Sequence, residues 1–244
     1  NHINMNTVGN ETVYLDGENF GPVSTLSNEN GNEEYVWYGP SNDERIYKLM
    51  KCEVIVSHTR IKCRSLESKN NVSRIGFRWS VQIEDQISDI SMNSDSMYAK
   101  PNITSLTNHI NMNTVGNETV YLDGENFGPV STLSNENGNE EYVWYGPSGK
   151  DFHYQLMGCK VIVAHVKVSC VSLPVDSGVA RVGFHWTLQI EDQKSDFAND
   201  VLGQYHPPMI STLKNHTNLS TRGGEEVWIF GQYFGSLGNA ENIR

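Results

Sequence analysis

Residues Asn1 to Ser41 recur without a single change as Asn108 to Ser148, an offset of 107 positions. A chain that repeats itself at this spacing must build one structural unit more than once, each with its own core. Beyond Ser41 the copies diverge but keep the offset without a gap. Cys52 matches Cys159, Cys63 matches Cys170, and Gly76-Phe77-Arg78-Trp79 matches Gly183-Phe184-His185-Trp186. Ile83-Glu84-Asp85-Gln86 matches Ile190-Glu191-Asp192-Gln193, and Pro101 matches Pro208. A third copy begins with Val227 to Gly235 over Val120 to Gly128. The expected divisions are 1–100, a unit lacking its first strand, 101–207, a complete unit, and 208–244, the N-terminal fragment of a third. Both ends fall inside units, as in a window cut from a longer array.

Within a unit the hydrophobic period is two. In Phe77-Arg78-Trp79-Ser80-Val81-Gln82-Ile83 every second side chain is large and apolar, and Phe184, Trp186, Leu188 and Ile190 repeat the pattern. That period predicts a half-buried strand with Arg78, Ser80 and Gln82 turned outward. Thr12 to Leu15, Tyr35 to Tyr38 and Cys52 to Cys63 read as further strands, separated by turn clusters such as Ser27 to Asn32 and Gly39-Pro40-Ser41. No segment sustains a period of 3.6. About seven short strands per unit predict an all-β antiparallel sandwich of the Ig-like kind.

The four cysteines come as two repeated pairs. A turn centred on Ser57-His58 places Val54 opposite Ile61 and Cys52 opposite Cys63, within disulfide reach, and Cys159 and Cys170 lie alike about Ala164-His165. Two structural disulfides and an oxidising compartment are the expectation. The alternative is paired buried thiols in a reducing one; no Cys-x-x-Cys or His-x-x-x-His spacing supports zinc.

With strands, cysteine pairs and repeat in place, the unit resembles the IPT/TIG domain, an E-set member of the Ig-like fold found in plexins, the Met receptor family and fibrocystin-like surface proteins. The resemblance rests on Pro101 to Leu106 as opening strand and on Thr119 to Gly128, which carries a G-x-N-F-G pattern as Gly124-Glu125-Asn126-Phe127-Gly128. The Cys159 to Cys170 hairpin and the closing strand from Phe184 to Ile190 complete it. The third copy departs with Gln232-Tyr233 in place of Glu-Asn, and where the family ends quickly the polar stretch Ser195 to Tyr205 adds an extra strand or a loop. Gly17 and Gly21, like Gly124 and Gly128, flank a bulky Phe at a strand exit, where positive φ or close backbone approach is needed. The junctions Tyr98-Ala99-Lys100-Pro101 and Tyr205-His206-Pro207-Pro208 leave almost no free linker, so successive units should abut.

Charge and motifs exclude much. Eighteen basic against 29 acidic residues give a net charge of -11, with no Lys/Arg cluster to hold a nucleic-acid backbone. Asn1 to Asn4 has neither the basic nor the apolar region of a signal peptide, and no run of 18 apolar residues exists. No nucleophile elbow, phosphate loop, zincin helix or dinucleotide fingerprint is present, and no histidine constellation repeats, so the chain reads as no enzyme, with no cofactor or small-molecule substrate. The acidic clusters Glu33-Glu34, Asp43-Glu44, Glu84-Asp85 and Asp16-Gly17-Glu18 read as solvated loops rather than metal sites. Six Asn-x-Ser/Thr sequons, at Asn10, Asn71, Asn102, Asn117, Asn215 and Asn218, are candidate carriers of N-linked glycans. The expected role is a structural or adhesive protein, extracellular or at the cell surface, a segment of an array forming a glycosylated stalk or filament. Its partners would be neighbouring units of that array or other copies of the chain. The alternative is a spacer in a plexin-like or Met-like receptor ectodomain.

Overall fold

The computed structural model describes residues 4–26, 33–49, 52–91, 95–134, 141–150, 152–198 and 202–235. Among them every regular element is a strand, and every pairing between named strands is antiparallel. The turn cluster Ser27 to Asn32 lies outside the described residues, as does 236–244.

The first unit contains β1 (Thr12–Asp16), β2 (Ser24–Thr25), β3 (Tyr35–Gly39), β4 (Tyr47–Leu49), β5 (Glu53–Val56), β6 (Arg60–Arg64), β7 (Arg78–Ile83) and β8 (Gln86–Ile87). They form two sheets, in the orders β1-β6-β5-β2 and β4-β3-β7-β8. The second unit contains β9 (Asn102–Thr107), β10 (Thr119–Glu125), β11 (Ser131–Thr132), β12 (Tyr142–Pro147), β13 (Tyr154–Gln155), β14 (Met157–Val163), β15 (Lys167–Val171), β16 (Val182–Ile190), β17 (Gln193–Lys194) and β18 (Gly203–Gln204). Its sheets run β11-β14-β15-β10-β9 and β13-β12-β16-β17, with β18 also on β16. β9 pairs with β10, while no described strand takes the corresponding place beside β1. β19 (Met209–Lys214) and β20 (Trp228–Gln232) pair with each other and stay exposed.

Each pair of sheets closes on one core. In the first, Tyr38 stacks on Trp79 at 4.5 Å and on Tyr47 at 4.6 Å, with Phe77 and Tyr98 edge-on. In the second, Tyr145 stacks on Trp186 at 4.7 Å and on Tyr154 at 4.8 Å, with Phe184 and Tyr205 in the edge-on places. Offset rings of this kind add to the area they bury. The phenols inside are satisfied: Tyr38 and Tyr98 hydroxyls lie 2.8 Å apart, Leu66 N–H donates to Tyr38, and Tyr98 donates to the Leu66 carbonyl at 2.8 Å. Burial raises the pKa of both phenols, so they remain neutral donors.

The hairpin register follows the sequence reading where Val54 faces Ile61 and Val161 faces Val168, and disulfides join Cys52 to Cys63 and Cys159 to Cys170; nearer the tip a bulge shifts it, so that Val56 faces Arg60 and Val163 faces Lys167. One expectation is corrected. Ser80 is buried rather than outward, because the chain after β8 doubles back along β7, Ser88 N–H donating to Val81 and Ser91 N–H to Trp79. Thr187, opposite Trp144 on β12, is buried in the same way and bonds to Ser195. Arg78 and Gln82 are half-buried. Within the Ser195 to Tyr205 stretch, Gly203–Gln204 forms strand β18, and a Cβ on Gly203 would meet the indole of Trp186 at 2.8 Å.

Candidate functional site: the joint between units

Among the described residues, an extended polar constellation lies where the first unit meets the second. It is built on a strand exit. After β10 the backbone turns through Asn126 at φ 62° and Gly128 at φ 87°, the left-handed region that Asn and Gly tolerate. The turn is braced by the tip of the disulfide hairpin: Phe127 N–H donates to the His165 carbonyl at 3.0 Å, and His165 N–H to the Gly128 carbonyl at 2.6 Å. Gly124 is needed for a different reason, since a Cβ there would meet the Asn102 carbonyl at 2.0 Å and the Phe127 ring at 2.5 Å.

This exit leaves the carbonyls of Asn126 and Phe127 facing the first unit, where Arg74 takes them. Its guanidinium donates to Asn126 O at 2.9 Å and to Phe127 O at 3.3 Å, and the side chain is 1% exposed. A forked guanidinium suits two adjacent acceptors, and hydrogen bonds from a charged donor are worth about 1.5–3 kcal/mol each. Arg74 is fixed from behind as well, because its own carbonyl accepts from Tyr98 N–H at 2.8 Å, immediately before the junction. A Cβ on Gly128 would lie 2.2 Å from the guanidinium, so the contact requires glycine.

Acidic and amide side chains from the β16–β17 turn complete the seat. Glu191 accepts from Asn71 N–H at 2.6 Å and Asp192 from Arg74 N–H at 3.0 Å, while the Ser73 hydroxyl donates to Asp192. Gln193 Nε2 donates to the Tyr98 carbonyl at 2.6 Å. Glu191 is itself buried, and burial together with the neighbouring carboxylate of Glu141 pushes its carboxyl up to about 7. Burial likewise lowers the Arg74 pKa, and the carboxylates of Glu191 and Glu141 oppose that shift.

His165 joins the two units from the hairpin tip. Its Nε2 lies 2.9 Å from Glu67 Oε1 and its Nδ1 2.9 Å from Thr7 Oγ1, both residues of the first unit. A hydroxyl, an imidazole and a carboxylate in series are the groups of a hydrolytic triad. Thr7, however, is wholly buried, so its hydroxyl has no face open to a substrate. The constellation is a bond between units.

The joint between the second unit and the third-copy residues uses the same arginine position. Arg181, 107 residues after Arg74, donates to Tyr233 O at 2.8 Å and Phe234 O at 2.7 Å, and the His206 ring stacks on Tyr233 at 4.2 Å. Tyr233 takes φ 62°, costly for an aromatic residue, at the position of Asn126. The sequence reading placed His165 only at a hairpin turn and did not single out Arg74 or Arg181. Their only signal was that Arg74 and Arg181 both stand two residues before the repeated Gly-Phe-x-Trp, and that His58 and His165 both tip the hairpin.

The six sequon asparagines are all exposed. Asn10 and Asn117 occupy matching left-handed turns, their N–H groups donating to Ser65 O at 2.7 Å and Ser172 O at 2.9 Å. Asn102 lies on β9, and Asn215 and Asn218 follow β19. Asn71 differs, being at the joint with its sequon hydroxyl, Ser73, engaged by Asp192. Of the acidic clusters, Asp16 pairs with Arg60 and Glu44 with Arg78. No group of three or more metal-ligating side chains forms among the described residues, and no described helix is long and apolar enough to cross a membrane.

No family model matches the chain, and no curated protein is similar to it. Among solved structures it is similar to SGBP-B from a complex xyloglucan utilization locus in Bacteroides uniformis, at 10% identity and a TM-score of 0.28 over 82% of this chain. The chain spans 46% of the length of that structure.

Proposed function

We propose that this chain is a structural or adhesive extracellular protein, a stretch of tandem IPT/TIG-like Ig domains whose joints make a stalk or filament stiff. One observation carries the reading: an arginine at the same position of successive units forks onto two backbone carbonyls of the next, at Asn126–Phe127 and again at Tyr233–Phe234. Units on a flexible string have no need of such a contact. The two disulfides and the exposed sequons at the matching turns of Asn10 and Asn117 support an oxidising, glycan-bearing setting. The groups that could suggest catalysis are spent inside the joint, which supports a role in assembly rather than turnover. N-linked glycans and neighbouring units are the partners this reading names.

Small-angle scattering on the full chain tests it. Arg74→Ala should shorten the mean end-to-end distance and broaden its distribution, while the far-ultraviolet spectrum stays unchanged. An unaltered profile would remove stiffness from the account. Peptide mapping of native material without reduction, before and after enzymatic glycan removal, tests the compartment: free thiols and bare asparagines would overturn it.

A further inference from the structure

The surface that receives Arg74 on the second unit has an open counterpart on the first. Asn19, Phe20, His58, Glu84, Asp85 and Gln86 stand 107 residues before Asn126, Phe127, His165, Glu191, Asp192 and Gln193, and each pair is the same residue type. The backbone is shaped alike: Asn19 has φ 64° and Gly21 φ 83°, Phe20 N–H donates to His58 O at 3.1 Å, and His58 N–H to Gly21 O at 2.6 Å. Occupancy is what differs. His165, Glu191 and Gln193 are buried, whereas His58, Glu84 and Gln86 are exposed. Phe127 is fully buried and Phe20 only partly; a Cβ on Gly21 would touch nothing within 4 Å, where one on Gly128 would strike the arginine. A groove of about 150 Å³ lined by Asn19, Phe20, Ile83 and Gln86 lies at this place.

We propose that this face of the first unit is a socket for a further unit of the same repeat, joined in series ahead of it and presenting an arginine as Arg74 does. The inference rests on the array reading and names the chemistry of its contact. The incoming guanidinium donates to the carbonyls of Asn19 and Phe20. Backbone amides around it, the counterparts of those at Asn71 and Arg74, donate to Glu84 and Asp85. A carbonyl just before the junction, the counterpart of Tyr98 O, accepts from Gln86. The acidic rim and the paired carbonyls select a cation, and the continuity of the 74-to-126 and 181-to-233 contacts selects a repeat unit as its carrier.

The probe is a chain in which residues 1–107 are fused ahead of residues 1–244, so that the new junction repeats the natural bond between 107 and 108. Hydrogen exchange is followed in the segment around Asn19–Gly21 and at the His58 turn. The expected result is at least tenfold slower exchange there than in the 244-residue chain, returned to the original rate by Arg74→Ala in the added unit. Ser73→Cys in the added unit with Asp85→Cys in the receiving one should crosslink under mild oxidation, and a control pair with Asp16→Cys should not. Unchanged exchange and no selective crosslink would overturn the socket. The array reading would survive that result if Arg74→Ala at the existing joint still accelerates exchange around Asn126–Gly128, and would fall if it does not. Protection at Asn19–Gly21 that rises with concentration in the unextended chain would mean docking between separate copies, and would overturn the arrangement in series.

Discussion

Residues 1–41 and 108–148 are the same string of amino acids in two surroundings, and they do not end in the same state. Their cores agree: Val13 and Val120, Val36 and Val143, and Tyr38 and Tyr145 are all fully buried. Their leading ends do not. Phe127 and Gly128 lie under the first unit, while Phe20 and Gly21 remain partly open. A local sequence thus determines strand, turn and core, whereas the burial of a unit's end is a property of its neighbour.

The comparison can be broken first at the cores. Trp79→Ala and Trp186→Ala should each destabilise their own unit by about 3–5 kcal/mol, read by urea unfolding. A gap between them of more than about 2 kcal/mol would end the claim that the cores are equal. Arg74→Ala comes next. It strands the carbonyls of Asn126 and Phe127 while leaving the backbone N–H bonds to Glu191 and Asp192 in place, and should weaken the joint by about 2–4 kcal/mol, seen as faster hydrogen exchange around Asn126–Gly128 with the core of the first unit unmoved. Cys159→Ser should lower the melting temperature of the second unit by the equivalent of roughly 2–3 kcal/mol without changing its fold, and an unchanged melting curve would remove the disulfide from its stability.

The glycines sharpen the contrast further. Gly21→Ala and Gly128→Ala meet the same left-handed backbone strain, but only the second drives a methyl group into Arg74. Chemical denaturation should show Gly128→Ala as the worse by about 1–2 kcal/mol. The smallest effect concerns pH. The carboxyl of Glu191 is raised in the folded joint to about 7, so the folded state binds more protons than the unfolded one between its ordinary value and that figure. Joint stability is therefore fullest below the ordinary carboxylate pKa and falls as pH rises toward 7, by on the order of 1 kcal/mol. Glu191→Gln should flatten that slope in a pH series of melting curves, and Glu84→Gln should leave it unchanged.

Much of each unit is legible in the sequence, because its determinants are close together. Period two placed Phe77 and Trp79 inside, and opposed positions about a hairpin turn placed Cys52 against Cys63. Ser80 escaped because alternation describes a sheet with one open face, and here the returning chain closes the other. The joint escaped for a stronger reason. Arg74 meets Asn126 across 52 positions and two units, with neither residue lying on a periodic face. A repeated arginine reads in sequence as a solvated charge until its neighbour is in place. The same holds for His165, whose partners Thr7 and Glu67 are 158 and 98 positions away in the chain.

The disulfide hairpin also fixes how far a pulled chain can lengthen. Cys159 and Cys170 close a loop of sequence separation 11 whose tip is the His165 turn, and Cys52 and Cys63 close the same loop about His58. Under tension an opened unit pays out its strands but not this loop, which withholds roughly 35 Å of contour length in each unit. The part of the unit that grips its neighbour is thus the part that cannot be drawn out into thread, and after relaxation it remains folded back on itself as a ready template for closing the joint again.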